Sequence, residues 1–159
     1  MDNINLGKAI LTEQDFGNMN WHDCNIHAMS FGANYELSLD IDYIFGWIQP
    51  KAETNDYEFL VSPCTLIFEN VHELKLDIEI TEPFKLEIEG IIKHTPQRPI
   101  NADYIKREIE YHWEIETQQG TITFKSVGYN QFVRQEPTLS NSQTLNLVER
   151  GGISFDKIT

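Results

Sequence analysis

Strict alternation of apolar and polar residues is the main pattern along this chain. Apolar side chains occupy every second position in residues 35–43, 74–80 and 109–115, and residues 122–124 continue the pattern. Successive side chains of a strand point to opposite faces, so the alternation predicts strands with one dry and one wet face. Because parallel strands are usually buried on both faces, such clean alternation is typical of antiparallel sheets.

Turn signals separate the predicted strands. Phe31–Asn34 and Gln118–Gly120 are typical of hairpin turns, and Glu82–Pro83 suits a tight connection, so the strands are expected to follow one another as a meander. Residues 100–108 differ, because good helix formers follow a possible cap at Asn101; at most one short helix is predicted there. Apolar positions in residues 145–148 predict a late strand.

The fold class follows from the apolar faces that these strands must bury. With little helix in the chain, each face has to pack on a second sheet or on the same sheet closed on itself. The sequence therefore predicts an all-β, mainly antiparallel fold, either a two-sheet sandwich or a closed, barrel-like meander. No linker or repeat divides residues 1–159, and this length suits one domain with one core.

The charge of the chain limits the partners it can take. Asp and Glu number 25 against 12 Lys and Arg, a formal net charge of -13. Such a field repels nucleic-acid phosphate and anionic lipid head groups, so we expect no nucleic acid and no membrane as partners, whereas a basic protein is allowed. No secretory signal and no membrane-spanning run of about 18 apolar residues is present.

Cysteine usage points to a reducing compartment. Cys24 and Cys64 are too few for a disulfide framework, which favours a cytoplasmic protein and leaves a single bridge between them open.

Carboxylates repeat on the predicted wet faces. Acidic residues two apart on a strand lie roughly 7 Å apart. If neighbouring strands align these pairs, one sheet face carries a broad negative field, which costs stability and which a basic partner would relieve. The predicted binding residues are Asp40, Asp42, Asp77, Glu79, Glu87, Glu89, Glu114 and Glu116.

The densest cluster of reactive residue types lies in residues 21–27. His22 and Cys24 are weak metal-ligand candidates, but no C-x-x-C or H-E-x-x-H spacing accompanies them, so no metal site is predicted. Cys24 as a nucleophile would need a nearby base and a lowered pKa, and a buried structural cysteine is commoner. The carboxylate pairs have no recognisable general-acid environment. We therefore predict no catalytic residue, and no cofactor because phosphate-binding loops are missing.

Two segments resemble a family of small uncharacterised bacterial proteins. They are residues 62–71, of the form SPxTLxFENV, and residues 149–155, of the form ERGGxSF, and the likeness runs from Trp21 to Phe155. The resemblance implies a bacterial cytosolic protein and no catalytic residues. Proteins of this style are similar to immunity proteins encoded beside secreted toxins, which are often small and acidic.

Two functional hypotheses follow. The first is a non-catalytic binding protein, an immunity-like inhibitor that binds a basic toxin or another basic protein through the acidic sheet face. The alternative is a small-ligand-binding or enzymatic β-barrel, because ligand pockets are largely apolar and aromatic. The residues that would line such a cavity are Trp21, Phe45, Trp47, Tyr57, Tyr111 and Trp113.

Overall fold

The computed structural model describes residues 8–50, 53, 56–83 and 85–157. Ten strands and two short α-helices make up this part of the chain, with 3-10 turns at Glu13–Asn18 and Ala33–Tyr35. The strands are β1 Ile10–Thr12, β2 Asn25–Phe31, β3 Leu37–Ile48, β4 Glu58–Glu69, β5 His72–Ile78, β6 Ile88–Gln97, β7 Glu110–Thr117, β8 Gly120–Ser126, β9 Gly128–Val133 and β10 Thr138–Ser140. The helices are α1 Ala102–Ile105 and α2 Leu147–Arg150.

The strands form two antiparallel sheets, which confirms the all-β prediction and selects the two-sheet alternative over the closed barrel. The six-stranded sheet has the order β1-β9-β4-β3-β2, with β10 beside the first half of β4. The four-stranded sheet has the order β5-β8-β7-β6. No helix in the described ranges is both long enough and apolar enough to cross a membrane.

The predicted turns have different outcomes. The β2–β3 and β7–β8 hairpins form at the expected positions, and the tight β7–β8 turn ends at Gly120, whose φ of 140° favours glycine. Glu82–Pro83, by contrast, lies in the connection from β5 to β6, which are at opposite edges of the four-stranded sheet. A tight connection is therefore the wrong interpretation there, because the chain crosses from one edge to the other.

Aromatic rings fill the space between the two sheets. Trp113 is fully buried and packs edge-on against Phe68 and Tyr129, with ring centroids 5.2 and 5.9 Å away. The indole N–H of Trp21 donates to Gln131 Oε1 at 2.8 Å, so this ring is buried without losing its hydrogen bond. These contacts fix the two inner faces against each other.

The outer face of β3 is not the wet face that the alternation predicts. Leu39, Ile41 and Tyr43 point into the core as expected, but Asp40 and Asp42 on the opposite face are also completely buried. Residues 145–154 lie across this side of the six-stranded sheet and supply the groups that bond to both carboxylates. The prediction of solvent exposure is therefore wrong for Asp40 and Asp42.

The Arg150 guanidinium offsets the desolvation penalty of burying these two carboxylates. Its Nη2 and Nη1 donate to Asp40 Oδ1 and Oδ2 at 2.6 and 2.8 Å, and its Nε donates to Asp42 Oδ1 at 3.0 Å. Arg134 Nη2 adds a second cation 2.8 Å from Asp40 Oδ1. Buried charges are tolerated only when they are paired and hydrogen-bonded, and here every carboxylate oxygen has a donor.

Helix α2 places Arg150 over the sheet. The Asn146 side chain accepts the Glu149 N–H at 2.8 Å, which caps the helix, and Gly151 ends it in the left-handed region with a φ of 77°. The late strand predicted here is therefore wrong, because a capped turn replaces it. The helix predicted within residues 100–108 is confirmed as α1.

We predict that Arg150→Met destabilises the fold by about 3–5 kcal/mol, because it leaves Asp42 buried without an arginine partner and Asp40 with Arg134 alone. Urea unfolding followed by tryptophan fluorescence measures the change. The matched control is Arg98→Met, since Arg98 is half-exposed and pairs only with exposed carboxylates; its unfolding curve should stay close to that of the wild type. Equal losses in the two variants would contradict the role assigned to Arg150.

The same network predicts acid sensitivity. Burial opposes ionisation of Asp40, but hydrogen bonds from Arg150, the Ser154 N–H and Arg134 outweigh it and lower its pKa below the ordinary 3.8. The stabilisation from ionised Asp40 is therefore present above pH 3.8 and lost as the pH falls through the lower folded-state pKa. We expect the free energy of unfolding to decline in that window, with a shallower decline in Asp40→Asn. An identical pH slope in the two proteins would contradict the prediction.

Candidate binding cleft

The carboxylates predicted to form one acidic face lie in three separate places. Asp40 and Asp42 are buried under residues 145–154, as described above. A second group lies on or beside the outer face of the four-stranded sheet, and a third lies where the two sheets meet. The second group consists of Asp77, Glu79, Glu114 and Glu116. The third group consists of Glu87 and Glu89.

The outer face of the four-stranded sheet has mixed charge. Asp77 and Glu116 stand in one row, each opposite Thr121 of β8, and both are exposed. In the next rows of the same face, Lys75 lies opposite Thr123, and Lys125 lies opposite His112. Glu114 is held by His94 Nε2 at 3.1 Å, and Lys125 is held by Glu73 at 2.8 Å. The carboxylate pairs are therefore not aligned into one acidic row, and the condition for a broad negative field on this face is not met.

Glu87 of the third group lines a cleft, here called the β2 cleft. Its volume is about 870 Å³, within the range of roughly 300–1,000 Å³ that ligand pockets have. Three segments form its walls: β2 with the turn before it, the connection into β6, and the C-terminal segment. The lining residues are Asp23, Asn25–Met29, Ile80, Lys85–Glu87, Ser142–Leu147 and Ile153.

A carboxyl pair lies in the wall of the β2 cleft at the junction of the sheets. The backbone brings it there, because Ile26 N–H donates to Leu86 O and Ile88 N–H donates to Cys24 O, both at 2.8 Å. Burial, a hydrogen bond with the Asp23 carboxyl and the charge of that carboxyl together raise the pKa of Glu87, against the opposing charge of Lys85. The pair therefore holds negative charge at a cost that a cation bound in the cleft would reduce.

The charge around the β2 cleft is mainly acidic. Lys85 is the single Lys or Arg among its lining residues, and it lies 3.8 Å from the exposed Glu82. Glu79 and Glu89 lie within two residues of the lining along the chain, and both are exposed. The whole chain adds a net charge of -13, so a cationic group is attracted to this part of the surface.

The floor of the β2 cleft rests on the buried network. His27 lines the cleft, and its Nε2 lies 2.7 Å from Asp42 Oδ2. The same oxygen accepts the Leu145 N–H at 2.9 Å, so strand and C-terminal segment are joined beneath the cleft. On the other wall, Gln143 Nε2 donates to Asp23 Oδ2 at 2.9 Å. The cleft is thus preformed by contacts that the free protein already makes.

The structure does not bring the weak metal candidates together. His22 is exposed, with its Nδ1 3.1 Å from the Glu89 carbonyl oxygen, whereas Cys24 is completely buried. No group of three or more His, Cys, Asp or Glu residues that could hold a metal ion occurs in the described part of the chain. Both cysteines are free, and burial raises the pKa of Cys24 strongly and that of Cys64 to about 12, so neither thiol is a ready nucleophile.

The aromatic residues of the alternative hypothesis do not surround a common cavity. Trp21 and Trp113 are core residues that pack on neighbouring rings. Trp47 and Tyr57 lie partly exposed beside Phe59, with the Trp47 ring centroid 5.0 Å from the Phe59 centroid. None of these four residues lines the β2 cleft.

A second cleft of about 680 Å³ lies at the end of the structure formed by the β2–β3 turn, the β4–β5 turn and α1. Its rim carries Tyr35, Ile100 and Tyr104, whose exposed fractions are 75%, 90% and 89%. Tyr35 also has a φ of 59°, a left-handed conformation that strains a bulky residue. An apolar patch of this kind marks a contact surface, but its lining carries both acidic groups and Arg107, so no class of ligand follows from its charge.

Comparison of the chain with family models, curated proteins and solved structures found no significant match. The resemblance of residues 62–71 and 149–155 to a bacterial family therefore stays a hypothesis, and function has to be argued from the cleft itself.

Sequence reasoning missed Arg150, Arg134 and His27 as partners of the buried carboxylates. One signal was available: residues 59–68 of β4 are almost continuously apolar, which is typical of a strand buried on both faces. Asp is also rare in strands, so two of them in β3 next to such a strand indicate internal pairing. The role of Asp23 beside Glu87 had no comparable signal, because the residues are 64 positions apart.

We predict that Glu87→Gln stabilises the protein at pH 7. The raised folded-state pKa means that the ionised form of Glu87 is disfavoured by folding, so the contribution of Glu87 is favourable below its unfolded pKa and is lost as the pH rises through the folded value. Melting curves of the variant and of the wild type should therefore differ at pH 7 and converge near pH 4. Glu116→Gln, at an exposed site, is the control, and its melting curves should match those of the wild type both at pH 7 and near pH 4. A lower melting temperature for Glu87→Gln at pH 7 would contradict the prediction.

Proposed function

We propose that this protein is a non-catalytic binding protein that holds a basic segment of a partner protein in the β2 cleft. The observation that carries the proposal is the position of Asp23 and Glu87 together in the cleft wall, where burial and the Asp23 carboxyl raise the pKa of Glu87. A lysine or arginine side chain placed between them would replace a repulsion by two attractions.

The walls of the cleft suit a peptide segment. Ile26, Met29 and Leu86 supply apolar surface, while Asn25 and Gln143 supply amide groups that can bond to a peptide backbone. Interfaces of this type combine an apolar centre with a few oriented polar groups at the rim. Because the contacts beneath the cleft are already made, the protein needs little ordering on binding and loses little conformational entropy.

The net charge supports the same class of partner. A chain with a charge of -13 attracts a basic protein over several ångströms and speeds the encounter. An immunity-like inhibitor of a basic toxin domain, acting in the bacterial cytoplasm, is the form of this proposal that agrees with the sequence resemblance. In this form the acidic residues act at the cleft and over long range, and the sheet faces have no separate binding role.

A labelled peptide tests the proposal directly. Acetylated Thr-Lys-Val-Lys-Val-Thr should bind the wild type, as followed by fluorescence anisotropy, with an affinity that falls as salt is raised. The Asp23→Asn/Glu87→Gln double variant should bind it about tenfold more weakly, which corresponds to about 1.4 kcal/mol. The same peptide with Glu in place of Lys should not bind.

The control for this experiment changes the same number of charges elsewhere. Asp77→Asn/Glu116→Gln removes two exposed carboxylates from the outer face of the four-stranded sheet and should leave the affinity within about twofold, the effect of long-range charge alone. Equal losses in the two double variants would show that only net charge matters, and the cleft would be excluded as the site. Absence of binding to the wild type at millimolar peptide would also overturn the proposal.

A further inference from the structure

The outer edge of β2 is covered along only half of its length. Near its start, Asp23 N–H donates to Ile88 O and Ile26 N–H donates to Leu86 O, so this half is paired with the beginning of β6. The second half, Ala28–Phe31, is paired with β3 on its inner side and has no strand on its outer side within the described ranges. The β2 cleft runs along this step, because His27, Ala28 and Met29 are among its lining residues.

The hydrogen-bond parity identifies which backbone groups face outward. Gly32 N–H donates to Glu36 O, so the alternation of an antiparallel ladder directs the backbone groups of Ser30 and Ala28 to β3. In the covered half the even-numbered Ile26 directs its N–H outward, to Leu86 O. The register shift between Ile26 and Ala28 explains why even-numbered residues direct their backbone groups to β3 beyond that point. The amide and carbonyl groups of Met29 and Phe31 are therefore the ones that face the open edge.

This edge lacks the features that protect a sheet from further pairing. Proteins commonly block free edges with charged residues, prolines or very short strands. The other edge strands have such features. Strand β5 contains Glu73, Lys75 and Asp77, β6 contains Pro96, and β1 is only three residues long. The sequence Ala-Met-Ser-Phe at 28–31 contains no charge and no proline. An unprotected edge that opens into a preformed cleft is suited to a partner strand.

We infer that the basic segment binds as an extended strand that pairs with the Ala28–Phe31 edge of β2, an inference that rests on the proposed function. The segment continues the six-stranded sheet from the point where β6 leaves it. Its backbone bonds to Met29 and Phe31, and a basic side chain near its end reaches the Asp23–Glu87 pair. Recognition by strand addition takes affinity from the backbone and specificity from the side chains, and the carboxyl pair supplies that specificity.

Charge complementarity selects a basic partner over a second copy of this chain. Two copies would each bring a charge of -13 to the contact, and the edge segment has no basic residue that could meet the carboxyl pair of its neighbour. The apolar side chains beside the edge remain open for the partner. They are Phe31, Ile80, Leu147 and Ile153, which are exposed by 63%, 51%, 55% and 55%.

Backbone methylation of the peptide tests strand pairing. In an extended peptide alternate N–H groups point to opposite sides, so two versions of Thr-Lys-Val-Lys-Val-Thr are made, one N-methylated at the odd positions and one at the even positions. We expect one version to lose at least tenfold in affinity and the other to bind within about threefold of the parent. With free peptide at ten times its dissociation constant, hydrogen exchange at the Met29 and Phe31 amides of the protein should slow about tenfold. Ala28 and Ser30, already bonded to β3, are the internal control.

The outcomes separate this inference from the proposed function. If the parent peptide binds in a manner that depends on Asp23 and Glu87, but both methylated versions bind alike and Met29 stays unprotected, the basic cleft stands and strand pairing is overturned. If the parent peptide does not bind at all, the proposed function is overturned, and the strand-pairing inference that rests on it is overturned with it. If Met29 becomes protected with rising protein concentration in the absence of peptide, and sedimentation shows a dimer, the occupant is a second copy and the assignment of a basic partner is wrong.

Discussion

The guanidinium of Arg150, enclosed between Asp40 and Asp42, is the contact on which the arrangement of the six-stranded sheet depends. Each carboxylate alone would face a large desolvation penalty on a strand that is covered on both sides. With the cation in place, the C-terminal segment can lie across the sheet and bring the Leu145 N–H to Asp42 Oδ2 and the Ser154 N–H to Asp40 Oδ2. Residues 145–154 and the outer face of β3 are therefore buried together, since each supplies the groups that pair with the charges of the other.

The β2 cleft is a consequence of this arrangement. One of its walls is the C-terminal segment, and its floor includes His27, which shares Asp42 with Arg150. The site that we propose for binding is therefore held by the same contacts that stabilise the sheet. Such coupling explains how a surface made of three distant segments stays open without a ligand. It also places Glu87, whose pKa is raised by burial and by the Asp23 carboxyl, where the proposed function would use it.

The sequence predicts the strands far better than it predicts their surroundings. The period-two runs at residues 35–43 and 109–115 correspond to β3 and β7, because alternation reports that two faces differ. Alternation does not say that the polar face is wet, and for β3 it is dry. The covering segment lies 110 residues from Asp40, so no local pattern contains it. The free half of the β2 edge was equally hidden from the sequence, since it depends on how far along β2 the segment leading into β6 stays paired.

The candidate site shows the same limit in a different way. Glu87 was predicted as a binding residue, but as one member of a long acidic row, whereas its partner Asp23 lies in a turn with a φ of 65° that no periodicity marks. The row itself was divided by topology, because β3, β5 and β6 belong to different sheets or different edges. The basic partner that we propose is argued from the charge composition, whereas the place proposed for it depends on the pairing of the strands.

The separation between Arg150 and its carboxylates has a consequence for how the protein comes into being in a cell. A ribosome adds about 5–20 residues per second, so roughly 5 to 22 seconds pass between the synthesis of Asp40 and that of Arg150, which lies 110 residues later. During this interval the growing chain has no cation from α2 to pair with the carboxylates of β3. The outer side of that strand therefore stays hydrated at first, and the final packing of the sheet has to wait until Arg150 has left the ribosome.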